Sequence, residues 1–405
     1  MEAKEKIIVA IDTNDLGKAV ELVNKLYPYV GGFKIGLEFI TNAVANIATC
    51  NDAATRFNTE MLRCLFRETH GKLFWDGKFS DIPNTVAGAS AALKPLGVKF
   101  FNVHASAGVH AIRAAALKKG DAKLLVVTVL TSLNFAELWA VGFGRCRNTN
   151  CKKYATTEWE EKFMQDLVLA MAKNAKGYGA DGVICSPKEL AVLKEHPILD
   201  EFLKVTPGVR PLWAAKGDQK RVTTPGEAIR AGADYLVIGR PITSPPAEIG
   251  RPVEAARIII KEIEEAEIFL LNGKISVAKF EEMLPKICNR ETSSNPTGWR
   301  SENPLYGHCA VVSLLAQDLF GGELLRISLE GTAFAEMKSH YYNVLPKSGL
   351  RDFTRTQFGG QPPDIFESQT RERSHLLSNP DTKKRFEILR TRFLSFLTVE
   401  KEARK

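Results

Sequence analysis

Phe74-Trp75-Asp76-Gly77-Lys78-Phe79-Ser80-Asp81-Ile82-Pro83-Asn84-Thr85 is an apolar strand pattern that ends in charge and then turns into a helix opened by proline. Side chains alternate along a strand, so Asp76 and Lys78 leave the same face and are forced together. A structural ion pair is the plain reading of such neighbours. Adjacent buried charges are, however, an expensive route to stability. A strand end that feeds a helix is also where parallel α/β barrels carry their chemistry. The spacing Asp76-x-Lys78-x-x-Asp81 therefore reads as a functional edge.

Outward from this segment, short β-branched runs recur at 7–11, 32–36, 72–75, 99–104, 123–128, 181–185, 202–206 and 234–238, each followed by a helical stretch. Such alternation marks βαβ units and a parallel sheet. Eight runs in about 250 residues match a closed (β/α)₈ TIM barrel, whereas a doubly wound sheet uses fewer strands. In that fold the polar residues at the strand ends face the mouth. They are Asp12, Lys34, Asp76, Lys78, His104, Thr131, Ser132, Arg210, Gly239 and Arg240. His104 reads as a hydrogen-bonded barrel residue outside the site. The segments 40–70 and 133–180 exceed one helix and are expected to carry insertions at the rim. A helix over 253–269, with Ala256, Ile259, Ile260 and Ile263 at helical spacing, closes the barrel. Residues 1–268 are thus expected to form an α/β barrel and 269–405 a smaller α+β domain.

At 405 residues, two domains are the natural expectation. No apolar stretch reaches the ~18 residues that span a bilayer, and Met1-Glu2-Ala3-Lys4-Glu5-Lys6 runs into a strand pattern without a signal-peptide core. A cytoplasmic protein with no membrane partner is expected. The seven cysteines are odd in number and scattered, which favours reduced thiols. Cys146 and Cys151 stand close, but no second Cys/His pair follows, so a solvated loop is preferred to zinc and no metal is expected. The net charge of +8 suits anionic substrates, yet no basic tract is interleaved with aromatics, and nucleic acid is not an expected partner.

The run from Phe74 to Thr85 resembles the signature D-x-K-x-x-D-I-P-N-T of the orotidine 5′-monophosphate decarboxylase family. Ile8-Val9-Ala10-Ile11-Asp12, Phe33-Lys34-Ile35-Gly36, Asn102-Val103-His104-Ala105-Ser106 and Val127-Thr128-Val129-Leu130-Thr131-Ser132 also look like that family. So do Val205-Thr206-Pro207-Gly208-Val209-Arg210-Pro211, Gly217-Asp218-Gln219 and Val237-Ile238-Gly239-Arg240-Pro241. The resemblance covers roughly 6–265. It implies a metal- and cofactor-free decarboxylation of orotidine 5′-monophosphate to uridine 5′-monophosphate, in which Lys78 protonates C6. Asp76 would face the scissile carboxylate, and Asp12 and Lys34 would bind the ribose hydroxyls and extend a Lys-Asp-Lys-Asp network. Thr131 and Ser132 would contact the base; Arg210, Gln219, Gly239 and Arg240 would hold the phosphate. Asp81, Ile82 and Thr85 would reach the neighbouring subunit's site across a homodimer. Loop 208–225, with Gly208 and Gly217, reads as a lid. The alternative is a magnesium-dependent sugar-phosphate decarboxylase or hexulose-phosphate synthase of the same superfamily, which lacks the Ile-Pro-Asn-Thr continuation.

Residues 286–304 form a polar, turn-rich approach to the second domain. There Asn303-Pro304-Leu305-Tyr306-Gly307-His308-Cys309-Ala310 opens an apolar helix, a place where backbone N–H groups favour a thiolate. Residues 339–345 read as a strand, and Asp352-Phe353-Thr354 as the start of another. The order Cys309, His340, Asp352 resembles the transglutaminase-like and papain-like arrangement. The whole segment also resembles the YunG-like family of unknown function, which adds no chemistry. A thiol hydrolase or transferase, a buried thiol beside a packed histidine, and a regulatory binding module all remain open. A last helix, over 381–397, repeats Phe386, Leu389, Phe393 and Leu397 and should pack on this domain's core.

Overall fold

The computed structural model describes residues 1–49, 51–143, 156–214, 223–360, 362–364 and 368–403. The chain divides into two compact units, Ala3–Ile263 and Glu264–Lys405 with Met1–Glu2, and the division falls inside the helix Pro252–Leu271.

The first unit is a closed barrel of parallel strands: β1 (Ile7–Ala10), β2 (Gly32–Gly36), β3 (Leu73–Phe79), β4 (Phe100–His104), β5 (Lys123–Val127), β6 (Gly182–Ile184), β7 (Leu203–Thr206) and β8 (Tyr235–Ile238). Closure comes from β8 pairing with β1, Val9 opposite Ile238. Alternation along the strands builds the interior in layers. Ile8 and Ala10, Tyr235 and Val237, Phe74, Phe100, Leu125 and Val205 pack as one apolar plug. Phe100 meets Phe74 and Tyr235 edge-on, with ring centroids 6.0 and 5.1 Å apart. One step further along β3 and β4 the same face carries Asp76 and Asn102, so charge begins where the plug ends.

Strand β3 differs from its expected form. The apolar run breaks at Trp75, yet the strand continues to Phe79 through a bulge: Trp75 pairs with Phe101 and Phe79 with Val103, so four steps on β3 span two on β4. Lys78 takes up the excess with a left-handed φ of 45°. Gly77 is required here, because a Cβ on it would stand 2.7 Å from Trp75 Nε1. The Asp76-Gly77-Lys78 segment is a distorted strand, and its polar residues hide its length from a reading of apolar runs.

The long 40–70 segment is two helices, Leu37–Thr49 and Asp52–Glu68, the second capped by Asn51, which accepts the Ala54 N–H. Asp52–Glu68 packs on the helix Leu16–Leu26 and on Leu37–Thr49. Within 133–180 the described elements are Phe135–Ala140, closed by an Asn134/Glu137 capping box, and Thr157–Gly177. Among the described residues no helix is long and apolar enough to cross a membrane.

The second unit is α+β. Its antiparallel sheet has the order β11-β10-β9-β12, with β9 (Glu323–Ser328), β10 (Ser339–Leu345), β11 (Gly349–Arg351) and β12 (Gln369–Arg371). The helices Val277–Ile287, Cys309–Phe320 and Pro380–Ala403 supply a core of Phe280, Leu284, Leu315, Leu319, Phe386, Leu389 and Phe393. Leu397 packs against that core. Two expectations need correction. The polar approach starts after Ile287, because Phe280, Met283, Leu284 and Ile287 bury one face of a helix. Asp352 does not begin a strand: β11 ends at Arg351, and Asp352 turns the chain by accepting the Thr354 N–H at 3.1 Å.

Candidate active site

The C-terminal ends of the barrel strands enclose a cavity of about 260 Å³. Asp12, Lys34, Asp76 and Lys78 line one side, and Thr131, Arg210, Gly239 and Arg240 also contribute to its wall. Asp76 is the centre of the charged side. Lys34 Nζ lies 3.1 Å from its Oδ2 and Lys78 Nζ 2.8 Å from its Oδ1. Lys34 also stands 3.7 Å from Asp12 Oδ1, which extends the chain of alternating charge. Burial opposes ionisation of Asp76, but the two ammonium groups and the Asn102 amide outweigh it and hold the carboxyl below its usual range.

On the sequence, Asn102 stands only within a run that resembles the family and carries no role there. Fully buried in β4, it donates from Nδ2 to Asp76 Oδ1 at 2.6 Å, and its Oδ1 accepts the main-chain N–H of the left-handed Lys78 at 2.7 Å. The available signal was a lone amide inside the otherwise apolar Phe100-Phe101-Asn102-Val103. Desolvation, aided by the Lys78 charge, lowers the pKa of His104, whose Nδ1 lies 2.8 Å from Ser106 Oγ.

Across the cavity Arg210 is buried, and its N–H donates to Thr223 O at 3.0 Å. Gly239 approaches closely: a Cβ there would stand 3.3 Å from Asp12 Oδ2. Ser132 is exposed and is not part of the lining. Asp81, Ile82 and Thr85 are exposed and also lie outside it; Asp81 Oδ1 accepts the Ile82 N–H at 2.7 Å. Gln219, most of the expected lid, and the Cys146/Cys151 pair lie outside the described residues.

In the second unit the structure brings together all three residues singled out there. His340 Nε2 lies 2.8 Å from Asp352 Oδ2, and Cys309 is close enough to the same ring to raise its affinity for a proton. Gln357 and Thr354, which the sequence did not flag, complete the cluster.

Residues 5–258 match the family model described as Orotidine 5'-phosphate decarboxylase / HUMPS family, and residues 276–398 match the one described as YunG protein. The orotidine 5'-phosphate decarboxylase of Moorella thermoacetica is 45% identical over 273 residues, which is 65% of this chain and 94% of the relative. That of Geotalea uraniireducens is 38% identical over 273 residues, 66% of this chain and 98% of the relative. The crystal structure of orotidine 5'-phosphate decarboxylase from Lactobacillus acidophilus is 32% identical, covers 64% of this chain and 98% of its own, and superposes with a TM-score of 0.46. With its barrel strands, its Asp76-Lys78-Asp81 spacing and nearly the whole length of these relatives accounted for, the chain belongs to the orotidine 5'-phosphate decarboxylase / HUMPS family.

Proposed function

We propose that the barrel decarboxylates orotidine 5′-monophosphate to uridine 5′-monophosphate, the last step in making UMP, with Lys78 as the proton donor. The observation that carries this reading is Asp76 held between Lys34 and Lys78 at the edge of a cavity that also presents Arg210 and Arg240.

Loss of carbon dioxide leaves an electron pair in the plane of the pyrimidine ring, where no π-system spreads it. A fixed cation beside C6 is therefore needed. Lys78 supplies that charge and then the proton: the C6–carboxylate bond breaks, carbon dioxide departs, and the pair left on C6 takes a proton from Nζ. The left-handed backbone at Lys78 and its anchor to Asn102 fix the ammonium before substrate arrives. Asp76 stands as an anion where the substrate carboxylate would be, a repulsion relieved as carbon dioxide leaves. Lys78 meets both needs, so the reading calls for no cofactor. Two ammonium groups around the central carboxylate also suit an anionic substrate better than a divalent cation.

Asp12 and Lys34 would hold the ribose, Thr131 and Ser132 the base, and Arg210, Gln219, Gly239 and Arg240 the phosphate, whose binding energy lowers the barrier at the distant ring. Asp81, Ile82 and Thr85 would complete the partner's site in a homodimer, an assignment supported by Ile82 being 67% exposed although apolar. The cytoplasm is the compartment this reading expects.

The test is to mix the purified chain with orotidine 5′-monophosphate and follow loss of the orotate absorbance, with and without a chelator. Turnover that the chelator leaves unchanged is expected. No turnover would overturn the reading, and chelator sensitivity would transfer it to the magnesium-dependent branch.

A further inference from the structure

We propose that Cys309 and His340, with Asp352 as a positioning residue, form a second catalytic centre in the C-terminal unit, one that transfers acyl groups from carboxamides through a thioester on Cys309. Cys309 opens a helix of 12 residues, Cys309–Phe320, so its thiol sits beside first-turn N–H groups that a helix leaves without internal partners. His340 comes from β10, completely buried. Its Nε2 is taken by Asp352 at 2.8 Å, so Nδ1, which Gln357 Nε2 also approaches at 3.4 Å, is the nitrogen that would exchange a proton with the thiol.

The ring has little freedom. Tyr342 stacks on it at 6.0 Å and Phe358 meets it edge-on at 4.8 Å. Asp352 is held in turn: its Oδ1 accepts from the Thr354 N–H at 3.1 Å and from Thr354 Oγ1 at 3.4 Å. Gln357 braces the other side, with Nε2 3.1 Å from Thr354 Oγ1 and 3.4 Å from His340 Nδ1, while its Oε1 accepts the Gly307 N–H at 3.2 Å. A thiol, an imidazole and a carboxylate in series, each oriented by the next, are the geometry of an activated nucleophile. A buried ion pair of this kind gains little stability over apolar packing. His308, the neighbouring histidine, is not the base: its nitrogens face Tyr306 O, Asn289 O and Thr292 Oγ1.

Burial alone would lower the His340 pKa, but the Asp352 and Cys309 hydrogen bonds prevail and raise it to about 9. An imidazolium at neutral pH suits protonation of an amine, the poor leaving group of a carboxamide. In the reaction, the Cys309 thiolate, whose proton already rests on His340 Nδ1 as an imidazolium, attacks the carbonyl carbon through Sγ. The oxyanion faces the first-turn N–H groups. The C–N bond then breaks as Nδ1 returns the proton to the amine. Water, deprotonated by His340, cleaves the thioester, releasing a carboxylic acid and the thiol.

The test treats the full chain with limiting iodoacetamide at pH 7 and reads each cysteine by peptide mass. Cys309 is only 8% exposed and Cys64 is more accessible, so an ordinary buried thiol would react more slowly than Cys64. The proposal expects the reverse, Cys309 reacting at least ~10-fold faster. Asp352→Asn, with circular dichroism matching the wild type, should slow labelling by about 10-fold or more and shift its onset to higher pH, which lost packing alone would not do. p-Nitrophenyl acetate, an activated acyl probe, quenched with acid within the first turnover before water clears the thioester, should leave one acetyl group on Cys309 in the wild type and none at that position in Cys309→Ser. Cys309 labelling no faster than Cys64, a folded Asp352→Asn labelling at the wild-type rate, or acetylation absent from Cys309 would each overturn the proposal.

Discussion

Asn102 Nδ2 donates to Asp76 Oδ1 across 2.6 Å from a side chain with no exposure to solvent. The same amide holds the Lys78 main chain, so one residue outside the cavity lining sets both the central carboxylate and the proposed proton donor. Asn102→Ala should lower kcat by roughly 10–100-fold through misplacement of Lys78. KM should change much less, because Arg210 and Arg240 are untouched. The part-buried Lys78 N–H left without its partner should also cost about 1–2 kcal/mol of stability. Steady-state turnover of orotidine 5′-monophosphate and a urea melt measure both, and an unchanged kcat would refute the positioning role.

Lys78→Ala removes the proposed cation and proton source together. Turnover should fall by at least about 10³-fold. The fold should persist, because the Lys78 side chain is 32% exposed and Asp76 keeps Lys34 at 3.1 Å and Asn102 at 2.6 Å. Matching circular dichroism with turnover near wild type would remove Lys78 from the role of acid.

The barrel was legible because its strands are short apolar runs whose interior alternation, Ile8 to Ala10 and Tyr235 to Val237, obeys a fixed period. Its charged residues were legible from their place at strand ends. The bulge was not: the left-handed turn at Lys78 depends on Asn102, whose partners come from a neighbouring strand 24 residues away for Lys78 and 26 for Asp76. In the second unit, Cys309 and His340 stood out as a helix start and a strand. Gln357 did not, since a glutamine in a polar loop carries no periodic signal and its contacts with Gly307 and His340 exist only after folding.

Asp81 and Ile82 are exposed on their own barrel and outside the lining of its cavity, although the family resemblance implies a role for them in the neighbouring subunit's site. If they serve the partner's site, Lys78→Ala and Asp81→Asn should fail separately and rescue each other. Heterodimers made by refolding the two together would each carry one intact site and one doubly defective one. A random equal mixture should regain about a quarter of wild-type activity. Recovery would be read by the orotate absorbance after mixing, and a mixture no more active than its components would exclude a shared site.

His308 and His340 should give the C-terminal unit opposite responses to pH. Burial first, with the Arg385 charge adding to it, lowers His308 to about 4 despite its bonds to carbonyls, whereas His340 is raised to about 9. Against an unfolded value near 6.5, the folded state binds His340's proton more tightly. That contribution is fully present below pH 6.5 and is lost as pH rises through 9. The unfolded state is the better base at His308, so its contribution is present above pH 6.5 and is lost as pH falls toward 4. Each should be on the order of a few kcal/mol, leaving stability highest near pH 6.5. Cys288, 4% exposed in this unit, reports unfolding when alkylated in a short pulse at fixed pH after equilibration in urea. The urea midpoint should fall on both sides of neutrality in the wild type, His340→Gln should flatten the alkaline limb, and His308→Asn the acid limb. Limbs that survive these substitutions would assign the pH dependence to other groups.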